Sequence, residues 1–509
     1  MLDSVSARPP DHQPLSPPGQ PPEQPTAPGQ TEAKQPGMAL VWPLVLAQFI
    51  ASFAATNMNV AISNIAVDLK TTVIGVQTAI TLFTLVMAAL MIPGSKLTDI
   101  WGRKVCLVLG LVIYGIGALL AALAPGLGLR VIGYSGLEGI GSALLIPPVY
   151  ILITVLFSSL TERAKYFGMI SAAGGVGAAA GPLIGGLITS TVSWRASFLL
   201  QVVVVAGIIY MCRRIPTDEV AEPRPAFDVL GAVLSAGGLV LVVLGILQTR
   251  TAGWLAPSVW LLIGLGAAVL AGFYWHMRSW ERRGREALLS TRLFAKRTAN
   301  AGLATQLLQW LTVQGSFFVV SVFLQTVRGL SAIATGLMLT PATLGILVAS
   351  ALAERMASRR SQAMLIRGGF VAAMIGTGLL LWLARGQASY WTFVPGLLVI
   401  GLGIGVMLTA SVNVVQSSFG EQDQGEISGL SRSVSNLGSS LGTAIAGSVL
   451  VMPLVTGNRH LGLALMVILV ADALGLVAAL AIPSHPPAKP AGQPTEQPSA
   501  NSTSEQPAT

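Results

Sequence analysis

Two acidic residues lie inside long apolar stretches of the chain, and their carboxyl groups are the best candidates for proton chemistry. Of the 21 acidic residues, only Glu138 and Asp472 have this position. A charge at the centre of a membrane-spanning helix costs about 2.5–3.5 kcal/mol to insert, so each carboxyl needs a reason to be there. Because burial disfavours the charged form, a buried carboxyl is suited to bind and release a proton.

We predict that Glu138 carries a proton or anchors a cationic substrate; the alternative is structural pairing with a neighbouring helix. For Asp472 we favour structural pairing or burial in the protonated form, and a place in a proton relay is the alternative. Both residues are kept as candidate proton-coupling sites.

The sequence offers no other reactive constellation. It contains no Walker pattern, no Gly-Lys-Ser/Thr run and no cluster of histidines with carboxylates. The four histidines are scattered along the chain, at positions 12, 276, 460 and 485. Two cysteines, Cys106 and Cys212, cannot build a thiolate zinc site or a disulfide scaffold. We therefore expect no enzyme, no metal and no cofactor, and the driving force would be an ion gradient or the substrate's own gradient.

The elements that position these residues are transmembrane helices. Of the 509 residues, 53% are hydrophobic and 10% are charged, whereas soluble domains carry about 25% charged residues. This composition excludes soluble enzymes, coiled coils and nucleic-acid binders. A span needs about 20 mostly apolar residues. Fourteen spans are predicted: 39–65, 74–93, 105–124, 131–156, 166–189, 196–212, 229–248, 258–277, 300–324, 333–352, 364–384, 391–415, 428–451 and 461–481.

Lysine and arginine are distributed unequally between two sets of alternating loops. One set carries 20 of them, in the loops 94–104, 158–165, 213–228, 278–298, 353–367 and 416–432. The other set carries 7, namely Lys70, Arg130, Arg195, Arg250, Arg328, Arg385 and Arg459. The positive-inside rule therefore predicts that the first set and both termini are cytoplasmic. We expect loop 278–298 to lie along the anionic inner leaflet.

The two ends of the chain have the composition of disordered tails. Residues 1–37 contain 10 prolines and residues 483–509 contain 7, and both segments are rich in Gln, Ser, Thr, Glu and Ala. Such segments cannot bury enough apolar surface to offset the entropy of ordering. We expect two disordered, Pro-rich cytoplasmic tails and no secretory signal peptide.

An internal repeat appears when the chain is aligned with itself at an offset of 255 residues. KLTDIWGRK, after span 2, then aligns with ALAERMASR, after span 10, and Asp99 falls on Glu354. The repeat predicts two six-helix bundles, 38–215 and 299–482, with two further helices inserted in 216–298. Internal repeats of this type mark transporters with a central site between the halves.

The loop GSKLTDIWGRK (94–104) resembles the pattern G-x-L-a-D-r-x-G-r-k of the major facilitator superfamily. Its matching residues are Leu97, Asp99, Gly102, Arg103 and Lys104. With fourteen spans, the chain resembles the drug:proton antiporter branch of that superfamily. Asp99 can cap the start of span 3 and meet Arg103. The resemblance implies that this cluster, with Glu354 of the second half, forms a cytoplasmic gate that latches the two halves.

The segment GVGAAAGPLIGG (175–186) in span 5 resembles the antiporter motif of the same branch. The motif residues are Gly177, Gly181, Pro182, Gly185 and Gly186. Three of the glycines fall four residues apart and form a smooth face for another backbone. The proline leaves a backbone carbonyl free and permits a bend. The resemblance implies that this face seals the pathway; a generic packing face is the alternative.

A third segment, GEISGLSRSVSNLGSSLGTAIAG (425–447), resembles the penultimate helix of the branch, and it supports the family more than any mechanism. The resemblance places span 4 along the central cavity. There the family pattern R-x-x-Q-G has Ser135 in place of Arg and Glu138 in place of Gln. In span 1, Ala54 stands where the branch usually has an acid, which weakens the case for cation-preferring multidrug export.

Amide side chains are the candidates for lining the substrate cavity. In span 1, Asn57 and Asn64 are seven residues apart and share a helix face, while Asn59 and Ser63 share another. By analogy with the family, amides of later spans face the same cavity: Gln306, Gln309 and Asn413. Polar packing between helices is the alternative for each of them.

We predict a proton-coupled secondary exporter of amphipathic or hydrophobic small molecules, a multi-pass protein of the bacterial plasma membrane. Its partners would be a small-molecule substrate, protons and membrane lipids, without nucleic acid, and we expect a monomer. An exporter of a lipid or siderophore-like metabolite is the alternative, favoured by the missing acid of span 1. A non-transporting membrane scaffold or sensor is a further alternative.

Overall fold

The structure, a computed structural model, describes residues 38–157, 160–217, 226–357, 360–383, 389–420, 423–450 and 459–484. Within these ranges the chain forms helices and no β-strand. The α-helices are α1 (Met38–Asn57), α2 (Ile62–Asp68), α3 (Val73–Trp101), α4 (Arg103–Leu123), α5 (Leu127–Arg130), α6 (Gly139–Leu156), α7 (Leu160–Thr191), α8 (Trp194–Cys212), α9 (Val229–Ala252), α10 (Pro257–Arg282), α11 (Arg297–Val322), α12 (Ala332–Ala357), α13 (Gln362–Leu383), α14 (Phe393–Gln416), α15 (Gln424–Leu450) and α16 (Arg459–Leu480). The predicted tail 1–37 and nearly all of the tail 483–509 lie outside the described residues.

Among the described residues, thirteen helices are long and apolar enough to cross a membrane. They correspond to thirteen of the predicted spans. The remaining span, 428–451, corresponds to α15, which has 27 residues but many serines and is therefore less apolar than the others. The all-helical membrane class is confirmed, while the total of fourteen spans and the sides of the termini stay predictions.

The helices agree with the repeat seen in the sequence. Shifted by 255 residues, α3 covers 328–356 and α6 covers 394–411. These ranges nearly coincide with α12 and α14. The offset found from a single loop therefore holds for whole helices.

The long helices pack in two groups that meet along two seams. One group comprises α1, α3, α4, α6, α7 and α8, and the other comprises α11 to α16. Between the groups, α3 packs on α15 and α7 packs on α12. The pair α9 and α10 pack mainly on each other, and α9 also contacts α3 and α15.

Hydrogen bonds from side chains hold the seam between α3 and α15. Four side chains bond to backbone carbonyls of the facing helix: Gln77 to Thr443 O (2.5 Å), Ser440 to Thr81 O (3.1 Å), Ser433 to Ala88 O (2.5 Å) and Ser95 to Gly425 O (3.3 Å). Since a helix rises about 1.5 Å per residue, these bonds extend over roughly 27 Å of α3. Two serines of the third motif segment, Ser433 and Ser440, thus bond to the helix that they face.

The first transmembrane helix is interrupted after Asn57. A short 3₁₀ turn, Met58–Val60, separates α1 from α2. Gln325, in the π-helical stretch Phe323–Val327 that follows α11, donates to Asn59 O (3.0 Å) and accepts from Ser63 N (3.1 Å). This side chain from the second group thus satisfies backbone groups that the break leaves free. The prediction of one continuous helix over 39–65 was wrong here.

Candidate functional site

Glu138 is fully buried in the first group of helices. It ends a stretch of π-helix, Val131–Glu138, which joins α5 to α6. Neither of its carboxylate oxygens has a hydrogen-bond partner among the described residues. Buried polar groups are nearly always bonded, so an unpartnered carboxyl at a π-helical irregularity is the arrangement expected of a functional group.

A second buried charge, Arg130, lies two helical turns before Glu138. Its guanidinium group packs 4.2 Å from the ring centre of Trp194 and 4.9 Å from that of Phe198. Its Nε and Nη1 atoms have no hydrogen-bond partner among the described residues. The charges of Arg130 and Glu138 act on each other, although no direct ion pair joins them in the described structure. The sequence had placed Arg130 in a loop, and its burial corrects that assignment.

Trp194 separates this buried arginine from an ion pair nearer the surface. Arg195 stacks on the same ring, 4.3 Å from its centre, and forms an ion pair with Asp68. The indole Nε1 of Trp194 also donates to Asp68, at 3.0 Å. The hydrogen bond from Arg195 lowers the pKa of the Asp68 carboxyl below its ordinary value of 3.8. The beginning of α8 is thereby fastened to the end of α2.

Tyr134 occupies the position beside Ala54, where the resemblance had suggested a missing acid. Its hydroxyl group donates to the carbonyl of Ala54 at 3.5 Å, and its ring stacks on Phe83 with 4.6 Å between centres. Ser135, which replaces the family arginine, donates to Ala79 O at 2.7 Å. These two residues therefore pack span 4 against α1 and α3.

Asp472 is also fully buried, but its carboxylate has partners. Thr312 donates to one oxygen at 2.5 Å and Thr377 donates to the other at 3.4 Å. The carboxyl therefore joins α16 to α11 and α13. The two bonds are consistent with structural pairing, and the role of Asp472 stays a prediction.

The predicted cavity amides divide into buried and exposed residues. Asn64 and Asn413 are exposed. Asn57 donates to Ser197 at 2.5 Å, and Asn59 is fully buried with no hydrogen bond to its side chain among the described residues. Because α1 ends at Asn57, the predicted helix face shared by Asn57 and Asn64 does not exist.

The two glutamines of α11 are buried and half satisfied. Gln306 accepts from Ser431 at 2.7 Å, and Gln309 accepts from Ser411 at 3.1 Å. The Nε2 atoms of both have no partner among the described residues. The Oε1 atoms of both glutamines join α11 to neighbouring helices, and their Nε2 groups can still donate hydrogen bonds.

The glycines of the α7 motif form two packing faces. Gly177, Gly181 and Gly185 lie against Phe49, Thr56 and Asn57 of α1, so closely that an added Cβ could not fit. On the other side of α7, a Cβ on Gly186 would lie 2.8 Å from Ala332 O of α12. The motif therefore serves both the packing within the first group and the seam to the second.

The carbonyl that Pro182 leaves free has a specific partner. Proline at position 182 cannot donate to the carbonyl of Ala178, four residues earlier. Thr56 of α1 donates its hydroxyl to that oxygen at 2.9 Å. The free carbonyl predicted from the sequence is thus used for a bond between α7 and α1.

The predicted gate residues surround the turn between α3 and α4. Gly102 joins the two helices with φ of 93°, a backbone conformation that favours glycine. Lys104 donates to Ile215 O at 2.5 Å, and the charges of Lys96 and Arg103 act on the exposed Asp99. Gly102 is the N-cap residue of α4, and no side chain caps this helix, so the predicted capping by Asp99 was wrong. The side chain of Glu354 lies outside the described residues.

The segment between α10 and α11 packs against the C-terminal end of α3 and the N-terminal end of α15. Leu288, Leu289 and Leu293 are buried, in a cluster that includes Ile92 and Ile427. These three leucines of loop 278–298 cover a protein surface, and the position of the loop along the leaflet stays a prediction. The charged residues around them remain exposed.

Polar contacts fix this segment to helices of both groups. Glu286 forms an ion pair with Lys96 of α3 at 3.3 Å. Ser290 N donates to Glu426 of α15 at 2.8 Å, and Thr291 N donates to Glu281 of α10 at 2.7 Å. The segment therefore closes the seam at the C-terminal end of α3 and the N-terminal end of α15.

Comparison with known proteins identifies the fold and the family. The family model described as Major Facilitator Superfamily matches residues 44–443. A solved structure of a peptide transporter in complex with sulfate has the same fold, with a TM-score of 0.64 and 14% identity, over 88% of this chain and 96% of that one.

Several curated relatives are similar over most of their length. The probable actinorhodin transporter of Streptomyces coelicolor is 30% identical over 88% of this chain and 79% of its own. The puromycin resistance protein pur8 of Streptomyces alboniger is 30% identical over 80% of this chain and 81% of its own. The multidrug resistance protein Stp of Mycobacterium tuberculosis is 25% identical over 80% and 74%. The chain is a multi-pass protein of the bacterial plasma membrane, and it belongs to the major facilitator superfamily.

Proposed function

We propose that the protein is a proton-coupled exporter of amphipathic or hydrophobic small molecules. The names of its relatives, which are antibiotic and multidrug transport or resistance proteins, support the substrate class. The observation that carries the proton coupling is the carboxyl of Glu138, fully buried and without a hydrogen-bond partner among the described residues. An ionisable group buried inside a membrane protein costs free energy, and its presence there therefore points to a function.

Protonation of Glu138 changes the charge of a buried cluster by one unit. When Glu138 is ionised, its charge offsets that of Arg130 within the same helical segment. When Glu138 is protonated, Arg130 remains a buried cation that faces two aromatic rings. Two states with different buried charge favour different packing, and a proton can therefore bias a conformational equilibrium.

The seams between the helix groups supply the element that can move. We assign 38–215 and 299–482 as two six-helix bundles, with 216–298 inserted between them. The bonds across α3 and α15 join side chains to backbone carbonyls, and the contacts across α7 and α12 involve glycine faces. Seams of this kind permit one bundle to rock against the other, which is how transporters with internal repeats alternate access.

The two sides of the membrane have different closing contacts. On the side of loop 94–104, which we assign to the cytoplasm, the segment around Ser290 closes the seam through Lys96 and Glu426. On the opposite side, Gln325 bonds the break in the first helix to α11. We propose that these contacts open in turn during transport.

Efflux of ethidium from cells that lack their own exporters tests the proposal. Energised cells expressing the wild-type protein should lose dye faster than cells with an empty vector, and a protonophore should abolish the difference. Equal efflux from both cell types, with the protein confirmed in the membrane, would contradict drug export. Efflux that resists the protonophore would contradict coupling to protons.

A further inference from the structure

A groove opens between the inserted helices and the seam of α3 with α15. It has a volume of about 230 Å³. Helices α9 and α10 form one wall through Leu239, Leu270 and Phe273, and the other wall includes Ile92 of α3 and Leu437 of α15. Leu289 and Phe294 of the segment after α10 complete the lining.

The lining of the groove is almost entirely apolar and can form very few hydrogen bonds with a ligand. Its two serine hydroxyls are already used: Ser235 donates to Ala232 O at 3.1 Å, and Ser433 donates to Ala88 O at 2.5 Å. The other side-chain polar group of the lining is the hydroxyl of the exposed Tyr274. Pockets for drug-sized ligands measure about 300–1,000 Å³ and carry a few free polar groups that fix orientation. A groove that is smaller and has so few of these groups fits a single hydrocarbon chain better than a drug.

The groove lies in the half of the membrane next to the basic loops. Its α10 residues, Leu270 to Met277, are in the second half of a helix that ends at Arg282. Leu430 and Leu437 are in the first half of α15, which begins on the same side. A chain from the lipid leaflet on that side can therefore reach it.

Exposed arginines stand at the end of the groove where a lipid headgroup would lie. Tyr274 lines the groove, and Arg278 follows it by one helical turn on the same face of α10. Arg282 is another turn further, and Arg292 belongs to the short helix that contributes Phe294. All three arginines are exposed, and none forms an ion pair within the described structure.

We propose that this groove binds one anionic phospholipid from the leaflet on the basic side, with an acyl chain between α9, α10 and the seam and the phosphate group on Arg278. The apolar walls select the chain, and the unpaired arginines select the negative headgroup. The site is separate from Glu138, and its occupation does not depend on the proposed transport activity.

Native mass spectrometry of the purified full-length protein tests the site. Palmitoyl-oleoyl phosphatidylglycerol and phosphatidylcholine with the same chains are added in equal amounts. One phosphatidylglycerol should remain bound, with a preference over phosphatidylcholine of at least about fivefold, the factor that corresponds to one arginine near an anionic leaflet. Equal retention of the two lipids would overturn the proposal.

Two variants with matched controls locate the site. Leu239→Trp fills the groove and should abolish retention of phosphatidylglycerol, while Leu244→Trp, on an exposed position of the same helix outside the groove, should not. Arg278→Gln should reduce the preference for phosphatidylglycerol about fivefold, while Arg213→Gln, in the turn after α8, should leave it unchanged. The melting temperature of each variant shows whether it is folded.

Two further outcomes would contradict the proposal. If folded Leu239→Trp retains the lipid as the wild type does, the groove is not its site. If ethidium displaces phosphatidylglycerol one for one, and Leu239→Trp abolishes the binding of both, the groove is a substrate site instead.

Discussion

Glu138 and Asp472 are both fully buried in transmembrane helices, yet their surroundings differ in every respect that matters for a proton. Asp472 accepts hydrogen bonds from Thr312 and Thr377, which join three helices of the second group. Glu138 has no bond to either oxygen among the described residues, and the positive charge of Arg130 acts on it. We therefore expect Asp472, held by hydroxyl groups, to serve the structure, and Glu138, unpartnered beside a buried cation, to change its charge.

The largest expected difference between the two acids is in transport. Glu138→Gln keeps the size of the side chain but removes its ability to ionise, and we expect ethidium efflux to fall to the level of the empty vector. Asp472→Asn is the same chemical change at the other acid, and it should keep efflux within about twofold, since an amide can still bond both threonines.

Membrane levels of the two variants, measured on immunoblots, provide the control for this pair. Glu138→Asp, which keeps a carboxyl, should retain part of the efflux. Equal loss in Glu138→Gln and Asp472→Asn, at normal protein levels, would remove the distinction between the acids.

The next effect in size is the coupling between Glu138 and Arg130. Removing one of two opposite buried charges leaves the other uncompensated, whereas removing both relieves that cost. Glu138→Gln and Arg130→Met should each lower the melting temperature, and the double variant should regain part of the loss. We expect a coupling free energy of about 0.5–3 kcal/mol from the double-mutant cycle. Strictly additive changes in stability would show that the two charges act independently.

A smaller change is expected when the acceptor at position 472 is removed altogether. Asp472→Leu leaves the hydroxyls of Thr312 and Thr377 without their partner, at a cost of about 1–2 kcal/mol. Denaturation in detergent should show this loss, and Asp472→Asn should show little of it. A leucine variant as stable as the wild type would contradict the structural role of Asp472.

The smallest effect concerns Asp68, a carboxyl that is partly exposed and paired with Arg195. Its pKa is lowered from 3.8 by the hydrogen bond from Arg195. The folded protein therefore gains stability from the ionised group above about pH 4, and the gain disappears as the pH falls below that value. The difference in melting temperature between wild type and Asp68→Asn should be present at pH 6 and shrink below pH 4. A difference that grows on acidification would contradict the pairing.

The sequence predicted those features that depend on local pattern. Runs of about 20 apolar residues fixed the positions of the helices, and one loop sufficed to find the repeat that relates α3 to α12. The free carbonyl expected from Pro182 exists, and the smooth face of the α7 glycines is occupied by another helix. Each of these depends on a few adjacent residues.

Features that depend on distant residues could not be predicted in this way. Arg130 resembles a loop residue until Trp194, 64 positions later, covers its guanidinium group. The break after Asn57 has no glycine or proline nearby, and Gln325 of the second group stabilises it. Leu288 lies in a basic loop, yet it is buried because α3 and α15 form a surface for it. In each case the partner that decides the structure is far away in the sequence.

Proton movement in proteoliposomes is the most direct test of the role of Glu138. An internal pH dye reports proton flux when ethidium is added to vesicles containing the purified wild-type protein or Glu138→Gln. We predict ethidium-dependent proton flux for the wild type and none for Glu138→Gln, although the variant still binds ethidium. Ethidium-dependent proton flux through Glu138→Gln at the wild-type rate would show that the proton is carried elsewhere.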